Sequence, residues 1–327
     1  MNSLFPFHDF WWFYLCFSGL VLVLLGLDLG VFHRKAHVVG FREATMWTGI
    51  WMSLSLIFCF GLYEYSRVGL GIPEAKSRQV ALEFLTGYVV EQSLSVDNMF
   101  VFVLIFQYFR VPAKYQHRVL FYGILGALVL RAAFIALGSA LLRFEWVVWL
   151  FGAFLIITGA RMLWISNDDV DPESNMVVKL LRRFLPVTAD FQGHRFFKKI
   201  NGVTHATPLL LTLGMLEFTD LVFAVDSVPA IFAVTKESLI VFTSNIFAIL
   251  GLRSMYFMLA GAVDKFYLLR FGLAVILIFV GLKMVWLDHM WGGHFPILWS
   301  LGLIAGVLAA SIALSLAFPK AQAKGGS

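Results

Sequence analysis

Residues 207–234 read TPLLLTLGMLEFTDLVFAVDSVPAIFAV, an apolar run long enough to cross a bilayer that carries three acids, Glu217, Asp220 and Asp226, and no basic residue. A stretch of the same character lies upstream at 82–106, LEFLTGYVVEQSLSVDNMFVFVLIF, with Glu91 and Asp97 in its interior. An ionisable side chain at the centre of a bilayer helix costs about 2.5–3.5 kcal/mol, so five would cost roughly 12–18 kcal/mol unless something compensates. A bound cation is the simplest compensation.

The rest of the chain has the same apolar setting. It is 60% hydrophobic and 14% charged, and its apolar residues come in long blocks instead of amphipathic stripes, which excludes a soluble core. Blocks that can span about 30 Å of hydrocarbon lie at 10–32, 44–65, 81–109, 119–142, 146–165, 207–234, 238–262, 269–287 and 296–318. The expected fold is therefore all-α and integral to the membrane, with about nine transmembrane helices. The first block has no preceding Lys or Arg and carries Asp28 near its end, which favours a retained helix over a cleaved leader. Residues 1–80 then form two amino-terminal spans, 81–165 a first three-helix unit, 166–205 a loop, 206–287 a second three-helix unit, and 288–327 a last span and tail.

Charge gives the orientation. One side gathers Arg34, Lys35, Arg42, Arg110, Lys114, Arg118, Arg161, Lys179, Arg182, Arg183, Arg195, Lys198, Lys199, Lys265, Arg270, Lys320 and Lys324; the other has Arg67, Lys76, Arg78, Arg143, Lys236 and Lys283. The positive-inside rule places the amino terminus outside and the carboxyl terminus, with the 166–205 loop, in the cytoplasm. The net charge of +5 is thus a topology signal, and cations scattered over several loops do not make a nucleic-acid surface. The loop's acidic cluster, Asp168, Asp169, Asp171 and Glu173, reads as a solvated face. Cys16 and Cys59 both fall inside spans and read as buried small hydrophobes.

The two acidic stretches belong to a duplication. Aligning Ser95-Val96-Asp97-Asn98 with Ala224-Val225-Asp226-Ser227 sets Glu91 opposite Asp220; GILGALVLR ending at Arg131 matches NIFAILGLR ending at Arg253, and Gly159–Trp164 matches Gly281–Trp286. Each copy holds three spans, an odd number, so the second enters the membrane from the opposite side. Inverted three-helix repeats place a binding site near the midplane in many secondary transporters.

In a straight helix Glu91 and Asp97 are about 9 Å apart along the axis and about 120° apart around it, and cannot both touch one ion. Either each first helix breaks near its second acid or different acids serve successive positions along a path; Ser93, Ser95 and Asn98 in the first copy, and Pro229 after Asp226 in the second, favour a break that frees a carbonyl. Carboxylate, amide, hydroxyl and carbonyl oxygens suit Mg²⁺, Ca²⁺ and Mn²⁺. His205, His289 and His294 read as loop or interfacial residues, and Met99, Met215, Met255 and Met258 as packing. Glu217 breaks the symmetry, because Tyr88 stands at its place in the first copy. The competing reading pairs the acids with Arg131 and Arg253, but two cations cannot neutralise five acids. For the arginines a structural or gating ion pair is the favoured role, and Asp28 is either a sixth participant or an interfacial cap.

The motifs FLTGYVVEQSLSVDNMFVF, ATPLLLTLGMLEFTDLVFAVDSVPAIFAVT, SNIFAILGLRSMYF and FGLAVILIFVGLKM, with a weaker LGLDLG near the amino terminus, resemble the TerC family of integral membrane proteins, and most closely its Alx-type manganese-exporting branch. That resemblance implies a multi-pass protein of the bacterial inner membrane, within the LysE-type transporter superfamily, that moves Mn²⁺ outward. It places the metal on Glu91, Asp97, Asn98, Glu217, Asp220 and Asp226. No catalytic residue and no cofactor are expected, Mn²⁺ being cargo, and no protein partner is indicated. Two alternatives stay open: an antiporter of Ca²⁺ or another cation against protons, and a membrane scaffold that supplies metal to exported proteins.

Overall fold

The computed structural model describes residues 4–27, 40–141, 144–164, 186–188, 191, 193, 195–200, 202–259, 268–291 and 295–318; for Asp97 and Asp226 it describes the backbone alone. The helices are α1 (Phe7–Leu27), α2 (Phe41–Glu64, continued by a π turn Tyr65–Gly69), α3 (Glu74–Tyr108), α4 (Ala113–Leu141), α5 (Glu145–Trp164), α6 (Pro208–Phe232), α7 (Ser238–Leu259), α8 (Leu269–Leu282, continued by a π turn Lys283–Leu287 and a short turn Asp288–Met290) and α9 (Ile297–Ala317). Among the described residues eight helices are long and apolar enough to cross a membrane, and Phe271–Leu287 is a shorter apolar ninth. The nine expected spans therefore each meet a helix. Asp28, His294 and the acidic cluster at 168–173 fall outside the described residues.

Burial sorts the helices. The apolar window of α7 is 89% buried and that of α1 only 17%, so α7 is the axis of the bundle while α1 presents most of its apolar surface outward, where lipid can cover it. Hydroxyls inside the bundle are satisfied locally: Thr86, Thr212, Thr219 and Thr243 each donate to the carbonyl four residues earlier. Helix α3 starts at Glu74, ahead of the expected 81. Its first turns carry Glu74, Lys76 and Arg78, which hydropathy excludes from a span but which can continue the helix beyond the hydrocarbon.

The duplication is visible in the packing. Helix α3 packs on α7 as α6 packs on α4, and α5 and α8 form the closest helix pair of the molecule. A Cβ on Gly159 would lie 2.7 Å from the Ala274 carbonyl oxygen and against Ile278, and one on Gly281 would lie 2.6 Å from the Gly152 carbonyl oxygen and against Ile156. Each contact becomes the other when the repeats are exchanged. The equivalent helices α5 and α8 also run antiparallel, since Gly152 meets Gly281 while Gly159 meets Ala274. This is the inversion that odd repeats require, held by small residues that let backbones touch.

The two ends of the bundle differ. With alternating helices, exposed Trp11, Trp12, Trp146, Trp149, Trp286, Trp291 and Trp299 all fall toward one end, as in an interfacial aromatic belt. Arg110, Lys114 and Arg118 fall at the other.

Two expectations are corrected. Helices α3 and α6 are continuous through Asp97 and Asp226, and Pro229 is carried inside α6. Losing the one hydrogen bond that proline removes, to the Val225 carbonyl, does not break the helix. The fold is all-α as expected, with one small addition: β1 (Phe197–Ile200) and β2 (Val203–Ala206) pair antiparallel at the end of the 166–205 loop. Their connection is Asn201-Gly202, with Gly202 at φ +83°, a hairpin signal the sequence does carry. The segment rests on the basic end of α4, where Phe196 meets Tyr122 edge-on and the Arg118 guanidinium lies 5.5 Å from the Phe196 ring centroid. Finally, Cys16 is exposed on α1 and not buried; only Cys59 is partly covered, with its Sγ 3.4 Å from the Ala81 carbonyl.

Candidate functional site

The centre of the bundle is organised by one guanidinium. Arg131, on α4, is wholly buried, and it reaches α3, α6 and α7 at once. Its Nη2 and Nε donate to the two Asp220 carboxylate oxygens at 3.1 and 3.4 Å, a forked contact. Its Nη1 pairs with Glu91 Oε1 and also lies 3.3 Å from Asn245 Oδ1 and 3.4 Å from Ser227 Oγ. One arginine thus joins an acid from each repeat. Glu91 is fully buried and Asp220 nearly so, which makes this a charge cluster withdrawn from water.

Around it lie polar atoms that the helices do not satisfy. Glu91 Oε2, Ser95 Oγ, Asn98 Nδ2 and Asn245 Nδ2 are buried without a hydrogen-bond partner among the described residues. Four such atoms within an apolar bundle mark a place where further ligands or water are accommodated. A cavity of about 20 Å³ touches Asp220 and Arg253 between Phe102, Leu120, Leu216 and Leu252, room for about one water. Glu217 packs on α4 at Gly126, where an added Cβ would overlap its carboxylate. A larger residue there would displace the acid from its place between α4 and α6.

Toward the basic end α3, α4 and α7 border a larger cavity of about 410 Å³ lined by Val103, Phe106, Gln107, Arg110, Val111, Gln116 and Tyr256. Tyr256 donates to Gln116 at 3.1 Å, and its ring meets Phe106 at 5.4 Å. At the tryptophan end hydrogen bonds cross between elements. Thr235 donates to Glu83 at 2.5 Å, and Glu237 accepts the backbone N–H groups of Leu4 at 2.7 Å and Phe5 at 3.2 Å.

The expected site residues sort as follows. Glu91 and Asp220 come together on Arg131, Asn98 is buried two turns beyond Glu91 on α3, and Glu217 stands apart on Gly126. Asp97 and Asp226 are carried on α3 and α6, with side chains outside the described structure. Among the described residues no three His, Cys, Asp or Glu side chains form a ready cage. His205 sits on the hairpin with Nδ1 3.0 Å from the Val203 carbonyl, a loop role. His289 lies near the Trp149 ring, an interfacial role. Sequence reasoning did not single out Asn245 and Ser227. Ser227 matches Asn98 in the duplication and Asn245 matches Gly123, and a polar residue replacing glycine in a paired helix was the available signal.

Comparison with known proteins gives a consistent picture. The chain is 53% identical over 301 residues to the Myxococcus xanthus membrane protein STKORF319, covering 92% of this chain and 90% of that one. It is 45% identical over 296 residues to Alx of Escherichia coli (strain K12), named as a candidate membrane-bound redox modulator, covering 89% and 90%. It is 46% identical over 263 residues to the chloroplastic thylakoid membrane protein TERC of Arabidopsis thaliana, covering 80% and 67%. No solved structure matches. Residues 76–323, which contain both repeats and the arginine-centred cluster, match the model of the integral membrane protein TerC family, and the chain belongs to that family.

Proposed function

We propose that this protein exports Mn²⁺, or a similar hard divalent cation, across the bacterial inner membrane, with Glu91, Asp97, Asn98, Glu217, Asp220 and Asp226 as ligands that serve successive positions along its path, since in continuous α3 and α6 neither Glu91 and Asp97 nor Asp220 and Asp226 can meet on one ion. The observation that carries the reading is that Glu91 and Asp220, equivalent acids of two inverted repeats, converge in the buried centre of the bundle. Acids from both repeats meeting at the centre suit alternating access, in which one repeat rocks against the other around a fixed site. The unpartnered Glu91 Oε2 and Ser95 Oγ are oxygens of the kind hard cations accept.

Direction follows from charge. The basic end is the cytoplasmic one by the positive-inside rule, and the tryptophan end faces outward. The open cavity at Gln107, Gln116 and Tyr256 is then the cytoplasmic entrance, and the Glu83–Thr235 contact closes the far side. Moving a dication out against an inside-negative potential costs about 2.3 kcal/mol per charge per 100 mV, so export needs a driving ion or a steep gradient. Proton antiport is the coupling the carboxylates allow, since acids released by metal can accept protons. Uptake into inverted vesicles that persists unchanged when the proton gradient is collapsed would remove that step.

The decisive experiment is Mn²⁺ flux from proteoliposomes containing the parent, Asp97→Asn or Asp226→Asn. Export should fall at least tenfold in both variants. Equal export by all three would defeat the proposed site.

A further inference from the structure

We infer that Arg131 is a built-in competitor of the transported cation: its guanidinium and a dication hold the Glu91 and Asp220 carboxylates alternately, never together. The inference deepens the transport reading above, and rests on it only for the consequence for turnover.

The argument is one of shared oxygens. Both Asp220 oxygens and one Glu91 oxygen are committed to Arg131, whose remaining contacts are to Ser227 and Asn245. A hard dication needs carboxylate oxygens at about 2.0–2.6 Å. With the guanidinium in place, an ion that close to the same oxygens would meet a fixed positive charge within a few ångströms in a wholly buried setting, where like charges repel strongly. One cation must leave for the other to land.

The grip is uneven, close on Glu91 and looser on the other partners. The contacts of Arg131 to Asp220, Ser227 and Asn245 are 3.1–3.4 Å, longer than the about 2.7–2.9 Å of a tight charge-assisted bond. Ser227 and Asn245 are neutral acceptors whose role in the cluster is to hold the guanidinium over the acids. The arrangement also answers what neutralises the acids when the ion has gone. Two bare carboxylates at the bundle centre would oppose reorientation of the carrier, whereas an arginine that folds back onto them removes that barrier. Arg131 is a positioning residue in this sense, lowering affinity so that the ion leaves and the ion-free protein resets.

The test measures Mn²⁺ binding to the purified full-length protein, followed by the paramagnetic signal of free Mn²⁺, for the parent, Arg131→Gln, Arg131→Lys, Ser227→Ala and Asn245→Ala. Arg131→Gln should tighten Mn²⁺ binding at least tenfold. Ser227→Ala and Asn245→Ala should each tighten it about two- to fivefold, and Arg131→Lys should fall between parent and Gln. A merely structural arginine predicts weaker binding in every variant, so tightening is the informative sign. In proteoliposomes Arg131→Gln should keep Mn²⁺/Mn²⁺ exchange while losing net export. If Arg131→Gln does not fold, Asn245→Ala and Ser227→Ala decide alone. Binding equal to or weaker than the parent in the folded variants overturns the inference, as does a parent and variant set in which none binds. Tighter binding by the variants with no Mn²⁺ flux in the parent would strike the transport reading and leave the competition standing.

Discussion

The two repeats share their packing and differ in their chemistry. The α5–α8 pair obeys the exchange so closely that Gly159 and Gly281 occupy mirror places, each pressed on a carbonyl of the other helix. The charged layer does not obey it. Arg131 of the first repeat gathers acids from both repeats, whereas its match Arg253 lines the small cavity beside Asp220; Glu217 stands where the first repeat has Tyr88, and Asn245 where it has Gly123. A two-fold backbone gives two equivalent conformations to exchange between, and a departure from two-fold charge gives them different affinities for cargo. Asymmetry is therefore expected in the residues that touch the ion, and symmetry in those that let the halves move.

The largest test of that comparison removes one acid from each environment. Asp220→Ala strips the fork from a fully buried guanidinium and should cost about 3–5 kcal/mol of unfolding stability, as breaking a buried pair does. Glu217→Ala, whose carboxylate is packed on Gly126, should cost about 1 kcal/mol or less, near the small end of single substitutions. Denaturant unfolding of the purified protein measures both. Comparable losses would show that the arginine does not organise the site, and the asymmetry drawn here would fail.

Next in size comes a test of the symmetric part. Gly159→Val and Gly281→Val each thrust a branched side chain into a backbone contact at 2.7 and 2.6 Å, and each should destabilise by about 1–3 kcal/mol through overpacking. The two values should agree within about 0.5 kcal/mol, since the environments are exchanged copies. A clear difference would mean that the α5–α8 seam is two-fold in geometry but not in energy.

Much of this was open to reading from the chain. Nine apolar blocks, an odd-numbered duplication and five acids led to an inverted membrane architecture, because each is a local or repeated signal. What was not legible depends on which helices become neighbours. Arg131 and Asp220 are far apart in the chain, and nothing local says that α4 lies beside α6, so the arginine could be read as a structural pair but not as the hub of both repeats. The continuity of α3 and α6 was misjudged for a related reason: Pro229 and the Ser and Asn residues around Asp97 weaken a helix in isolation, but packing on the buried α7 and α4 holds it. The hairpin at 197–206 is a different failure, since Asn201-Gly202 between short alternating runs was present and was overshadowed by the charge of the surrounding loop.

The smallest effect concerns how the departure from symmetry closes one end of the molecule. In the duplication Glu83 matches Thr212 and Thr235 matches Phe106. The hydrogen bond from Thr235 to Glu83 at the tryptophan end thus has no counterpart at the basic end, where Phe106 instead lines the 410 Å³ cavity and Thr212 turns back to its own helix at the Pro208 carbonyl. Thr235→Val keeps the shape and removes the donor, so it should cost about 0.5–1.5 kcal/mol, the net range for a typical hydrogen bond. If that contact is what closes the tryptophan end, a cysteine placed at Thr86, one turn deeper on α3, should react faster with a membrane-impermeant thiol reagent from that side in Thr235→Val than in the parent, with Cys16 and Cys59 replaced in both. Unchanged labelling with the expected loss of stability would assign the closure to the aromatic packing of Phe58, Phe84 and Phe247 behind it. The asymmetry between the ends would then be one of shape and not of hydrogen bonding.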